Sequence, residues 1–184
     1  EMMPQFDRIR NKFLDYRNVA LGTFIFSIGL FKKIVIADTF ASWASQGFDH
    51  TTVLNLFEAW ATSLSYTFQL YFDFSGYTDM AIGVALLFNI RLPVNFNSPF
   101  KATGIIEFWQ RWHITLSNFI TVYIYTPLVR SFSNLTFTKA MLATFVTFLI
   151  AGLWHGSSWM FVVFGGLHGI ALVINNYWKK QRFH

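Results

Sequence analysis

The chain has 184 residues, of which 54% are hydrophobic and 20% aromatic, while only 12% are charged and none is cysteine. A soluble domain usually carries about twice that charged fraction, so an ordinary water-facing globule is excluded. The absent cysteine also excludes disulfides, thiolate metal sites and Cys nucleophiles. The net charge of +5 is uneven: residues 1–107 hold eight Lys/Arg and all nine acids, residues 108–184 six Lys/Arg and no acid. These charges flank apolar runs. The clusters Arg8, Arg10, Lys12, Arg17 and Lys179, Lys180, Arg182 do not form a stripe interleaved with stacking aromatics, so no nucleic-acid partner is expected.

The chain opens Glu1-Met2-Met3-Pro4 and stays mixed in charge to Arg17; no signal peptide is visible, and the expectation is a fragment of a longer protein. Asn18 to Phe31 is the first apolar run, broken by Lys32-Lys33 and resumed at Ile34 to Ala37. It is too short for a simple span unless the lysines snorkel or the helix ends there. Thr51 to Phe72 is a second candidate span. Met80 to Ile90 is half the length a crossing needs and reads as a buried, tilted or re-entrant segment. Between these pieces, Asp73-Phe74-Ser75-Gly76-Tyr77-Thr78-Asp79 is expected to be irregular backbone, as is Leu92 to Phe100 with its two prolines.

Trp112 to Val129 carries no formal charge but is rich in Trp, Tyr, Thr and Ser, which suggests an amphipathic or re-entrant helix. Ala140 to Trp178 is the clearest signal, 39 residues without a formal charge. At about 20 residues per crossing it is a transmembrane hairpin over residues 140–178, turning near His155 to Ser158. Arg130 and Lys139 precede it and Lys179, Lys180 and Arg182 follow, so the positive-inside rule puts both ends in the cytoplasm and the turn toward the far side. The fold class expected is all-α, a polytopic membrane bundle with re-entrant or short tilted helices, with no second domain.

Gly-rich phosphate loops, metalloprotease helices, serine-hydrolase elbows and clusters of metal ligands are all missing, so no metal is expected. What remains is ionisable residues inside apolar runs. Histidine is the leading type because it both takes and gives a proton near neutral pH. His155 lies in Gly152-Leu153-Trp154-His155-Gly156-Ser157-Ser158-Trp159, where small residues allow close approach and two indoles can exclude water. It suits a general base on a hydroxyl; a histidine capping a helix carbonyl fits the same pattern. His113, in Phe108-Trp109-Gln110-Arg111-Trp112-His113-Ile114-Thr115-Leu116-Ser117, has the same two readings.

His168 follows His155 by 13 residues, about 20 Å on a continuous helix, which favours a packing role. A carboxylate orienting His155 has to come from Asp73, Asp79 or Glu107, unless these acids satisfy backbone or Arg groups. Arg91 and Arg111 can bind a substrate anion or snorkel. Ser157 and Ser158 can be nucleophiles, though helix capping is the commoner use of such serines.

Tyr71-Phe72-Asp73-Phe74-Ser75-Gly76-Tyr77-Thr78-Asp79-Met80-Ala81-Ile82-Gly83, then Asn95-Phe96-Asn97-Ser98-Pro99-Phe100, then the stretch Phe108 to Ser117, then Gly152-Leu153-Trp154-His155-Gly156 resemble, in that order, the membrane-bound O-acyltransferase (MBOAT) superfamily. The bacterial alginate O-acetyltransferase-like branch looks nearest, with the D-alanyl transferases of teichoic acid modification as near relatives. One departure is Val129-Arg130-Ser131-Phe132, where the alginate branch often has a Gly-Gly-Asn-Arg-like turn.

The resemblance implies a partial domain over residues 1–184 that lacks N- and C-terminal helices. It further implies a catalytic histidine at His155, a second important one at His113, and a tunnel open to both membrane faces. Trp109, Arg111, Trp112, Trp154, Trp159, Asp73 and Asp79 are the candidate tunnel residues. The expected reaction moves an acyl group, most simply acetyl, from a cytoplasmic thioester to a hydroxyl of an exported envelope polysaccharide such as alginate, or of a relay partner. No tightly bound cofactor is implied; the donor is a co-substrate such as acetyl-CoA or an acyl carrier protein. Expected partners are membrane lipid, the polysaccharide acceptor and an extracytoplasmic acetyl-relay or polysaccharide-modifying protein. The expected location is the bacterial cytoplasmic (inner) membrane, as a multi-pass protein. The alternatives are D-alanyl transfer and a non-enzymatic transporter whose His and Asp relay protons.

Overall fold

A computed structural model of the chain describes residues 3–8 and 13–182. Glu1 and Met2 of the opening stretch, and Arg10 and Lys12 of the basic cluster, lie outside the described residues. Among those described there is helix, turn and loop but no strand. The chain forms two compact units, residues 1–94 and 95–184.

In the first unit a short α1 (Met3–Phe6) precedes α2 (Tyr16–Phe31). Asp15 caps α2, its side chain accepting from the Arg17 N–H at 2.9 Å. The helix does not end at the two lysines. It continues through a π-helical turn (Lys32–Ala37), α3 (Asp38–Ser45) and a second π turn (Gln46–His50) as a single 35-residue rod, Tyr16–His50. The lysines are tolerated because each has an acid: Lys32 Nζ sits 2.6 Å from Asp79, and Lys33 Nζ sits 2.5 Å from Asp73 and 3.5 Å from Asp38.

Asp73 and Asp79 lie on α4 (Leu56–Leu87), a continuous helix of 32 residues. Its start is fixed by a reciprocal cap: the Glu58 N–H donates to Asn55 at 3.0 Å and the Asn55 N–H to Glu58 at 2.9 Å. The sequence suggests irregular backbone at Asp73 to Asp79 and a separate short piece from Met80. The structure corrects both, since these residues are the middle and last turns of α4. Asp73 and Asp79 face lysines, and Gly76 and Gly83 give close approach to the neighbouring rod. A Cβ on Gly22 would lie 2.6 Å from the Gly83 carbonyl oxygen, and one on Gly29 would lie 2.6 Å from that of Gly76. The two helices therefore run antiparallel with backbone against backbone, a small-residue contact familiar from membrane helices.

The second unit begins with a loop through a single 3-10 turn (Pro99–Lys101), consistent with the turn chemistry of Leu92 to Phe100. Then come α5 (Ile105–Arg111), α6 (Ile114–Ile120), a π turn (Thr121–Tyr125) and α7 (Thr126–Arg130). Pro127 lies at the start of α7, where its missing N–H costs least. The unit closes with α8 (Phe137–His155) and α9 (Trp159–Arg182), joined by residues 156–158.

Helices α8 and α9 cross at Gly152 and Gly165. A Cβ on either would come within 3.1 Å of the other's Cα and would strike a backbone oxygen, that of Phe161 or Phe148. Among the described residues three helices are long and apolar enough to cross a membrane: Tyr16–His50, Phe137–His155 and Trp159–Arg182.

Candidate functional site

The second unit gathers three of the sequence motifs around His113 and His155. Helix α5 ends at Arg111, Trp112 is extended, and His113 adopts a left-handed conformation (φ 45°, ψ 54°) as the residue before α6. A histidine there costs on the order of 1 kcal/mol and persists only when its surroundings impose it. The imposing segment is Asn95 to Asn97, which straddles the break. The Asn97 N–H donates to the Arg111 carbonyl at 3.0 Å, and the Ile114 N–H donates to the Asn95 carbonyl at 3.0 Å. The Asn95 side chain accepts from the Thr115 hydroxyl at 2.6 Å. Phe96 packs edge-on to Trp112 at 5.0 Å, and Phe108 stacks on Trp112 at 5.7 Å. The strained turn is thus fastened on both sides by backbone, amide and rings.

Arg111 and Glu107 pair with each other within that scaffold. Arg111 donates to Glu107 Oε1 through Nε (3.0 Å) and Nη2 (2.7 Å), and through Nη1 to the Asn97 carbonyl (3.2 Å). The other carboxylate oxygen accepts from the Thr103 N–H at 2.8 Å and hydroxyl at 2.9 Å. The Thr103 backbone and hydroxyl donors, then Arg111, hold the Glu107 carboxyl at about 2, against an ordinary 4.5.

His155 is the last residue of α8 and is exposed. The Phe161 ring lies nearly parallel to it at 6.1 Å, Phe164 stands perpendicular at 6.4 Å, and Trp154 is at 5.1 Å. A Cβ on Gly156 would lie 2.7 Å from the Phe161 ring, so the glycine lets that ring fold back over His155. Trp154 and Trp159 do not wall His155 off within this chain, being 64% and 82% exposed. Among the described residues no carboxylate or other hydrogen-bonding group holds the His155 ring; packing does.

His113 and His155 are close enough that charge on one disfavours charge on the other. Partial burial, and then the His155 charge, push the His113 pKa below its ordinary 6.5, which leaves it neutral at pH 7. Asp73 and Asp79 belong to the first unit and pair with Lys33 and Lys32 there. Ser158 serves the local turn, its hydroxyl accepting from the Met160 N–H at 3.3 Å.

The sequence alone does not reveal the setting of Trp109 and His168. Trp109 stands edge-on to Phe148 of α8 at 5.2 Å and to His168 of α9 at 5.0 Å. His168 also meets Phe164 at 4.5 Å, so the rings of His155 and His168 share Phe164 as a neighbour. The axial separation along a single helix does not apply, because the chain reverses at residues 156–158. The available signal is the four-residue spacing of Phe164 and His168, which puts both on one face of α9.

An all-helical fold with membrane-length helices and a histidine at a fastened, strained turn beside a second histidine defines a class of membrane protein with a polar centre at the end of a helical hairpin. A sequence model of the MBOAT (membrane-bound O-acyltransferase) family matches residues 1–182, and the chain belongs to that family. It is 56% identical to a peptidoglycan O-acetyltransferase of Helicobacter pylori over its full length, which is 35% of that relative. It is 42% identical over 95% of its length to a probable alginate O-acetylase of Azotobacter vinelandii, covering 34% of it. It is 32% identical over 84% of its length to a teichoic acid D-alanyltransferase of Streptococcus thermophilus, covering 40% of it. The chain thus spans about a third of the length of the curated relatives it matches.

Proposed function

We propose that this chain carries the acyl-transfer centre of a membrane O-acetyltransferase acting on a cell-envelope glycan in a bacterial inner membrane. In this reading His155 takes the proton from an acceptor hydroxyl as its oxygen attacks the carbonyl carbon of an acyl thioester. The carbon–sulfur bond then breaks, and the proton passes from His155 to the departing thiolate, so that an ester and a free thiol result. His113, neutral at pH 7, positions the donor carbonyl and stabilises the oxyanion that develops on it.

The observation that carries the reading is the pairing of two histidines on rigid supports, with His155 exposed and held by rings instead of hydrogen bonds. A base held in that way keeps both ring nitrogens for proton transfer. The acetyl group and a glycan acceptor are favoured by the peptidoglycan O-acetyltransferase and alginate O-acetylase relatives. The donor is an acyl thioester such as acetyl-CoA or an acyl carrier protein, and an extracytoplasmic relay or polysaccharide-modifying protein is the expected partner. D-alanyl transfer is the second reading, favoured by the teichoic acid D-alanyltransferase relative.

Thioester turnover by the full-length protein in lipid nanodiscs tests the assignment. His155→Ala should lose about 10²- to 10⁴-fold in rate with an unaltered melting temperature. Retained turnover removes His155 from the reaction.

A further inference from the structure

Trp109 and His168 leave hydrogen-bonding capacity unused side by side. The Trp109 Nε1–H is buried, and no described residue accepts from it. The His168 ring stands perpendicular to that indole at 5.0 Å, and neither of its nitrogens hydrogen-bonds to a described residue. A buried N–H without a partner is costly and calls for an occupant. His168 belongs to α9, one of the three helices apolar enough to span a membrane, where an ionisable side chain is itself expensive. Farther along the same face, about 10 Å from His168 by helical rise, the buried Asn175 Oδ1 also has no donor among the described residues.

The chemistry of the missing partner follows from the pair. An indole N–H only donates, whereas a neutral imidazole offers a bare nitrogen that accepts. One small group satisfies both: an oxygen that accepts from the indole and donates to the imidazole, which is a hydroxyl. We propose that Trp109 and His168 form a hydroxyl-binding subsite for the carbohydrate acceptor, one phenyl ring away from His155. Phe164 touches both histidines, so a sugar held here by one hydroxyl would have another ring position directed toward His155. Asn175 extends the same face for a longer glycan. The inference rests on the acceptor-glycan reading above, and both residues are positioning residues rather than proton carriers in the transfer.

The test uses the full-length protein in nanodiscs, with N-acetylchitopentaose as the glycan probe; binding is read for it and for coenzyme A, and transfer is read with acetyl-coenzyme A as the acetyl source. Trp109→Phe keeps a ring and deletes the N–H; His168→Phe keeps a ring and deletes the nitrogens. Each should weaken chitopentaose binding about 5- to 20-fold, the range of one or two lost hydrogen bonds. The double variant should lose little more than either single one, because both groups hold one hydroxyl. His168→Gln should restore much of the affinity, and coenzyme A binding should stay within twofold throughout.

His155→Ala should bind chitopentaose normally while failing to transfer. Retained transfer by His155→Ala with this binding pattern intact would defeat the general-base reading and leave the subsite standing. Unchanged chitopentaose affinity in Trp109→Phe, or no binding by wild type, means that a water occupies the pair and overturns the proposal. Weakening confined to coenzyme A assigns the hydroxyl to the donor's pantetheine arm and overturns it as well.

Discussion

His113 holds a left-handed backbone that asparagine tolerates and β-branched residues resist. His113→Val should therefore destabilise the protein by about 1–2 kcal/mol more than His113→Asn, read as a difference in unfolding free energy. His113→Asn should keep the fold and still lose about 10²-fold in rate, because it shortens the donor to the oxyanion. Burial lowers the His113 pKa by penalising the charged form, so its contribution to stability is complete above 6.5 and declines as the pH falls below that value. Glu107 has the same pH direction through the opposite preference, since its charged form is favoured. Its contribution is present above 4.5 and is lost as the pH falls through about 2. Glu107→Gln should lower the melting temperature at pH 7, and its difference from wild type should shrink on acidification toward pH 3.

Two glycines one residue apart in α9 make opposite predictions. A Cβ on Gly165 meets backbone of α8, which has no room to yield, whereas one on Gly166 meets only Leu149 Cδ2 at 3.5 Å. Gly165→Ala should cost about 1–3 kcal/mol and displace His155, three residues beyond the opposing Gly152, with loss of activity. Gly166→Ala should be neutral or slightly stabilising, because alanine is the better helix former. Thermal unfolding of the pair checks both.

The hairpin turn was legible at this scale because Gly152 to Ser158 interrupts an uncharged run with small and polar residues. The continuity of α4 was not. Asp73 and Asp79 look like breakers in their own segment, and only Lys33 and Lys32 on the facing rod make them compatible with helix. The seven-residue intervals of Gly22 to Gly29 and Gly76 to Gly83 were the overlooked clue to that pairing. Which of the two readings holds for Arg111 and Glu107 depends on Asn97 and Thr103, loop residues that no periodicity reveals.

At the scale of the whole molecule, little of the apolar surface of the described residues is covered by the chain itself. No more than 17% of the apolar stretch of any of the three membrane-length helices is buried, and Phe57 and Trp159 are more than 80% exposed. Such surface belongs against lipid or further helices, as expected of a chain that aligns with a third of its longer relatives. All-helical architecture was legible from composition and run length. The proximity of His113 to His155 rested in the sequence on the family resemblance, since 42 residues separate them.

The absence of cysteine makes topology simple to probe. Ser157→Cys should react with an impermeant maleimide from outside the cell, and Lys180→Cys only after the cytoplasm is opened. Labelling of both from the same side would contradict the hairpin crossing.

The proposed function turns on His155 as the base for acyl transfer to the envelope. The most direct measurement compares the full-length wild type with His155→Ala in a host lacking its own copy, releasing envelope esters by mild alkali and identifying the acid by mass spectrometry. Acetate should disappear in the variant while the protein stays in the membrane; loss of D-alanine instead would replace the acetyl reading with the teichoic one. Unchanged ester content with the variant protein present would contradict the role of His155 outright.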